Sequence, residues 1–393
     1  MDERSTNLHS QKYCGNALNE KIEFYKHNLS EQDKKELLNV LDSIFLTTGT
    51  TVNQFEQKFA RYTGNKFAVG VMSCTHALEL ALRYFNIGAN DEIITTPLSF
   101  SATSNVIEYV GANTVFVDVE TETGNIDANK IEAAITPNTR AIIVVHLYGH
   151  MCNMIKIKEI ADKYNLKIIE DAAHCVEGSR DGIHVGQLGD MAAYSFYATK
   201  NLTCGEGGAI TCNDVNMYEW LMMARSHGIT KNAADRYTKK YEHYDMKFLG
   251  LKCNMSNIQA ALLLNQIDGL DSRLMERETI CKLYDKGFQN NKNVTVLKTL
   301  PLTRHARHLY TILVDTGRRD QILHALQDAK IGVAVNYRPI HELSYYKNKY
   351  GFTPNMFPVA KEIGEKTISI PLYPSLNFSE IEYIIETVNK VSR

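Results

Sequence analysis

The sequence predicts an α/β protein: a largely parallel, seven-stranded sheet covered on both faces, followed by a smaller C-terminal α+β domain. Three observations carry this expectation. Between residues 67 and 212 lie seven short β-rich runs, several of them apolar almost throughout, the signature of strands buried on both faces. Segments between several of the runs read as helices, the alternation that builds a parallel sheet. After residue 254 the pattern changes to a mixture of helices and fewer strands.

In chain order the runs are FAVGVM (67–72), EIITT (92–96), NTVFVDV (113–119), AIIVVHLY (141–148), LKIIEDAA (166–173), MAAYSF (191–196) and GAITC (208–212). THALELALRYF (75–85) and MIKIKEIADKYN (154–165) carry helical spacing. Ser256 and Gln259 form a candidate capping box before the helix IQAALLLNQIDGL, and a hairpin-like VTVLKT, the run HLYTILVD and a terminal helix SEIEYIIETVNKV follow. A chain of 393 residues suits two unequal lobes. The expected division is an N-terminal arm (1–45), a large domain (46–265) and a small domain (266–393), joined by a helix because no Pro-rich or low-complexity linker intervenes.

Composition narrows the function classes. With 44% hydrophobic and 22% charged residues and a formal net charge of -2, no broad field invites nucleic acid or a membrane surface. The first twenty residues are polar, and no run approaches the ~18 apolar residues of a membrane span, so the expected location is the cytoplasm. Eight cysteines without CxxC pairs suggest small buried residues, neither a disulfide framework nor a zinc site; Cys204, with no basic partner in view, is read as packing. No GxGxxG joins a strand to a helix and no HExxH occurs, which sets aside nicotinamide and metal-hydrolase chemistry.

In an open α/β sheet ligands bind outside the carboxyl ends of the strands, and the residues there form an informative set. Ser73-Cys74-Thr75 open a helix after the first run, and Ser99-Phe100 follow the second. Glu170-Asp171 end the fifth run, with His174 just beyond, and Lys200 follows the sixth. Pyridoxal 5'-phosphate (PLP) needs groups of these kinds: an amine for its aldehyde, an acid to keep its ring nitrogen protonated, a flat partner for the ring, and amide donors for its phosphate. The amides of Cys74 and Thr75, at a helix start, suit that phosphate.

The segments SFYATKNLTCGEGGAI (195–210), IIEDAAHCVEG (168–178), VMSCTHALELAL (71–82) and KCNMSNIQAA (252–261) resemble the signatures of the DegT/StrS sugar aminotransferases. The resemblance covers roughly residues 21 to 390 and is greatest to enzymes that aminate C4 of nucleotide-linked 4-keto sugars. It implies the PLP-dependent, aspartate-aminotransferase-like fold (fold type I), and a homodimer with shared sites. It also implies Lys200 as the Schiff-base lysine, Asp171 at the pyridine nitrogen, His174 near the ring's 3-hydroxyl and Phe100 stacked on the ring. Ser195 matches a phosphate-binding hydroxyl, and Asn254 an asparagine that reaches the phosphate from the neighbouring subunit. His308 and Tyr337 lie in segments that resemble the substrate-facing part of the small lobe; Asn336 stands where several relatives have histidine, so that histidine's contacts do not carry over.

The activity so implied is transfer of an amino group, from glutamate by resemblance, to a keto group of a nucleotide-linked sugar. Two alternatives share the fold. In a PLP-dependent sugar dehydratase the lysine position resembles histidine, and a non-catalytic PLP-binding regulator needs neither lysine nor carboxylate.

Overall fold

The computed structural model describes residues 20–230 and 243–393, so Cys14 and most of the first half of the expected arm lie outside it. The strands up to the middle of the chain are β1 (Phe67–Val71), β2 (Glu92–Thr95), β3 (Asn113–Phe116), β4 (Thr139–Val145), β5 (Lys167–Asp171), a short hairpin of β6 (Ser179–Arg180) and β7 (Ile183–His184), β8 (Met191–Ser195) and β9 (Gly208–Cys212). All seven apolar runs are strands of one sheet, in the order β1-β9-β8-β5-β4-β2-β3. The pairs β8–β9 and β9–β1 are antiparallel and the other four parallel, so β9 alone runs against the rest.

Side chains alternate across this sheet as the pleat requires. Val69, Ile143, Ile169 and Ala193 pack on one face beneath the helix Cys74–Tyr84, whereas Ala68, Ile142, Ile168 and Ala192 face the helices Thr50–Thr63 and Met154–Tyr164 on the other. Both faces are therefore covered by apolar side chains, which is why the runs lack an alternating polar register.

The capping box at Ser256 is present: its Oγ accepts from the Gln259 amide at 3.3 Å while Gln259 Oε1 accepts from the Ser256 amide at 2.9 Å. The helix it starts, Asn257–Asp268, breaks at Gly269 and continues as Leu270–Phe288. Beyond it, β10 (Val294–Val296), β11 (Thr303–Arg304), β12 (Tyr310–Val314) and β13 (Thr367–Ile370) follow, of which β10, β12 and β13 make a three-stranded antiparallel sheet. Its apolar core gathers Ile280, Ile312, Ile368 and Ile384, and Ile22 from the N-terminal segment pairs with Ile331 and joins the same core.

The two lobes touch along a polar and aromatic seam. Asp118 accepts from the Val359 and Ala360 amides at 3.2 and 3.0 Å, capping the start of the helix Pro358–Lys366, and Tyr346 donates to Asn105 Oδ1 at 2.7 Å. Among the described residues no helix is long and apolar enough to cross a membrane, and the seven described cysteines are all buried and unpaired.

Candidate active site

A cavity of about 540 Å³ opens beside the carboxyl ends of β1, β5 and β8, where the small lobe reaches over with Asn336 and Tyr337. Cys74, Thr75, Phe100, Asp171, His174, Ser195, Lys200 and Tyr337 all line it. Residues scattered over more than 260 positions converge because the parallel strands deliver their carboxyl ends to one side of the sheet and the small lobe adds Tyr337 there.

Lys200 sits in the turn between β8 and β9. The Lys200 amide donates to the Tyr197 carbonyl at 2.9 Å, and Phe196 and Cys204 close the base of the turn at 3.0 Å. Burial lowers its ammonium to about 8, although the nearby Asp171 carboxylate pulls the other way. An amine so lowered has a far larger neutral fraction near physiological pH than an ordinary lysine, and the neutral form is the one that attacks an aldehyde.

Asp171 ends β5 on the face shared with Ser195 and the helix Cys74–Tyr84. Thr103 donates to its Oδ2 at 2.8 Å, and the Ala173 amide to Oδ1 at 3.2 Å. Ser99 lies 2.9 Å from the Thr103 hydroxyl and extends the support. The neighbouring Glu170 points to the opposite face, where it meets His146 Nε2 at 2.8 Å, so only one of the two strand-end carboxylates belongs to the cavity.

The anion cradle follows from the helix start. Ser73 caps the helix, its Oγ accepting from the His76 amide at 3.2 Å, and the first-turn amides of Cys74 and Thr75 have no intrahelical acceptor. Behind them the backbone of β9 comes so close that a Cβ on Gly208 would lie 2.4 Å from the Ser73 carbonyl carbon. The second glycine of the GG pair is thus a contact requirement that joins the lysine hairpin to the cradle. Burial raises the Cys74 thiol well above its ordinary value, which makes it a packing group beside Asp171.

His174 is buried, and burial together with Lys200 holds it well below its usual range, so its ring is neutral. The Tyr148 amide donates to Nδ1 at 3.2 Å, which leaves the proton on Nε2, 3.0 Å from the Tyr337 hydroxyl. Tyr337, whose hydroxyl burial pushes up, then keeps its own proton for a partner in the cavity. Phe100 is 60% exposed and lines the cavity near the Tyr337 ring, with centroids 6.1 Å apart.

Two expected residues stand outside the cavity lining. Asn254 bridges to Val71 beside the end of β1, with its Nδ2 donating to Thr48 Oγ1 at 2.6 Å. His308 is buried, with Nε2 3.5 Å from Lys200 Nζ. The sequence reading missed Thr103, Phe24 and Asn201. Thr103 lies in the first turn of the helix Ala102–Tyr109, and its partner Asp171 is 68 residues away; Phe24 lies on the N-terminal segment with no local signal.

Amine, carboxylate, exposed aromatic ring and helix-start amides thus surround one cavity from separate elements, and this donor set fits PLP. The family model of DegT/DnrJ/EryC1/StrS aminotransferases matches residues 27–389. The Bacillus subtilis spore coat polysaccharide biosynthesis protein SpsC is 39% identical over 92% of this chain and 95% of its own length. The Campylobacter jejuni UDP-4-amino-4,6-dideoxy-N-acetyl-beta-L-altrosamine transaminase is 34% identical over 93% of this chain and 96% of its own. Among solved structures, Spr1654 of Streptococcus pneumoniae in its PMP form superposes with a TM-score of 0.89 at 32% identity, covering 94% of this chain and 99% of that one. The chain therefore belongs to the DegT/DnrJ/EryC1/StrS aminotransferase family, and it is a PLP-dependent aminotransferase of fold type I.

Proposed function

We propose that this enzyme transfers an amino group from glutamate to the C4 ketone of a nucleotide-linked sugar, in the biosynthesis of an amino sugar for a surface polysaccharide. The observation that carries the reaction type is Lys200, a lysine lowered to about 8 in the cavity that also holds Asp171. The substrate class and carbon rest on likeness to the altrosamine transaminase, and the setting on likeness to the spore coat polysaccharide protein. Lysine at position 200 is the feature that favours amine transfer over dehydration.

The positions of the residues support a role for each in this proposal. Bound PLP supplies an aldehyde for amines and a ring that draws off the electron pair of the bond broken at the reacting carbon. Asp171 balances the positive ring nitrogen, held in place by Thr103. The amides of Cys74 and Thr75 with the Ser195 hydroxyl take the phosphate, and Phe100 covers a ring face. Lys200, when released as a free amine, carries the proton between the two carbons that exchange nitrogen. Tyr337 offers its hydroxyl proton to the cofactor or the sugar. Asn254 lies off its own chain's cavity, which supports the reading that it serves the partner in a homodimer with shared sites. The division into a large domain up to residue 265 and a small domain beyond it, and a cytoplasmic setting with reduced cysteines, complete the proposal.

The test is a pair of half-reactions. After PLP reconstitution the protein shows a visible absorbance band that glutamate removes, with release of a stoichiometric keto acid. The aminated form then meets UDP-, GDP- and dTDP-linked keto sugars, and mass spectrometry and NMR locate the new amine. A protein that stays colourless, or an amine that reaches no keto sugar, overturns the proposal.

A further inference from the structure

We propose that a buried relay, Arg277–Glu177–Asn201–His308, fixes the His308 ring with its unprotonated Nε2 toward Lys200 Nζ, making His308 the residue that positions the catalytic amine. The proposal rests on the reading of Lys200 given above, and shifts His308 from substrate contact to lysine support.

Arg277 and Glu177 form an ion pair at 2.6 Å, both nearly inaccessible to solvent. The Glu177 carboxylate only accepts. Asn201 Nδ2 lies 3.1 and 3.3 Å from its two oxygens and 2.9 Å from the Ala306 carbonyl. Turning the amide over would aim its oxygen at three acceptors, so Nδ2 stays on that side. The other end of the amide, Oδ1, therefore accepts, and it faces His308 Nδ1 at 3.4 Å. The proton of a neutral His308 must then sit on Nδ1, which leaves the lone pair of Nε2 facing Lys200 Nζ at 3.5 Å.

Charged and titratable groups approach His308 from several elements: Lys200 from the β8–β9 turn, His174 from beyond β5, Arg277 from the helix Leu270–Phe288, and His305 on its own segment. Each of these disfavours an imidazolium, and Glu177, already paired with Arg277, is separated from the ring by Asn201. The ring remains a neutral acceptor. A neutral Lys200 that gives one N–H to Nε2 turns its own lone pair elsewhere, and the cavity is the side where an aldehyde arrives. The distances are at the long end of the hydrogen-bond range, as is common before a ligand tightens a site.

The first measurement needs no variant. In apoprotein labelled with ¹⁵N-histidine, NMR reports His308 protonated on Nδ1 and bare on Nε2 across neutral pH; protonation on Nε2, or an imidazolium, overturns the proposal. The second follows PLP capture by apoprotein, with borohydride trapping to show the lysine modified. His308→Phe slows capture about five- to tenfold, the worth of one hydrogen bond, and moves its pH midpoint, while His308→Gln, which keeps an acceptor, restores both. Asn201→Ala mixes the two tautomers and gives an intermediate rate. Capture by His308→Phe at the wild-type rate and midpoint overturns the proposal; should that variant not fold, the wild-type tautomer decides. If trapping in the wild type modifies a residue other than Lys200, the functional reading fails instead, which keeps the two failures apart.

Discussion

Glu170 and Asp171 are successive, buried residues at the end of β5, and the pleat sends them to opposite faces of the sheet. Glu170 is closed in: His146 Nε2 at 2.8 Å and the Gly186 and Gly189 amides at 3.1 and 2.8 Å surround it, and a Cβ on Gly189 would come within 2.5 Å of its Oε1. Asp171 is held on one flank by Thr103 and the Ala173 amide but lines the cavity on the other. Residue type and burial are alike; the difference is whether the polar capacity is used up inside the protein. A buried carboxylate with every side satisfied is architecture, and one with a side facing a cavity is available for chemistry.

That contrast can be broken at several points. The largest effect belongs to Lys200→Ala on the cavity side, where loss of the amine removes PLP trapping and lowers turnover by about 10³-fold or more, within the range of acid–base contributions; retained turnover in a single-turnover assay would move the chemistry elsewhere. Next, Asp171→Asn lowers turnover about 10²- to 10³-fold, as loss of a preorganised charge partner does, with little change in denaturant midpoint. Glu170→Gln does the reverse: it costs about 1–3 kcal/mol of stability by leaving an amide among backbone donors, while turnover per folded molecule stays at the wild-type level. Equal effects of the two substitutions on both readouts would erase the distinction.

Smaller effects sharpen it. Gly208→Ala forces the β9 backbone away from Ser73 and weakens PLP affinity about tenfold, taking overpacking at 1–3 kcal/mol; Gly189→Ala, on the Glu170 side, lowers stability without touching PLP affinity. Equilibrium dialysis and urea titration separate the two. Finally, PLP capture by apoprotein rises with pH through about 8 as Lys200 loses its proton, then levels. The Asp171 carboxylate favours the protonated lysine, so Asp171→Asn moves that midpoint to lower pH. A midpoint at the ordinary lysine value would contradict the burial argument.

Much of this could be read from local pattern. The seven β-rich runs became the seven strands because strands covered on both faces must be apolar on both parities, a constraint visible in a few residues. Lys200 and Asp171 were legible because each falls at a strand's carboxyl end, where an open sheet places its ligands. The hydrogen bond from the Gln259 backbone amide to Ser256 Oγ was legible from a similarly local pattern. Thr103, Asn201 and Phe24 were not: each acts through a contact whose partner lies far along the chain or on another element, such as Asn201 with Glu177 and Ala306.

By itself, then, the order of residues determined the sheet, the helix starts, the lysine and the carboxylate that belongs with it, since periodicity, capping and strand-end position are short-range properties. Only the tertiary structure decided that Glu170 is closed in by His146 and the Gly186 and Gly189 amides, that His308 lies against Lys200 outside the cavity lining, and that Asn254 lies off its own chain's site. Those outcomes depend on pleat parity, close backbone approach and the chains of donors and acceptors that burial obliges a protein to complete.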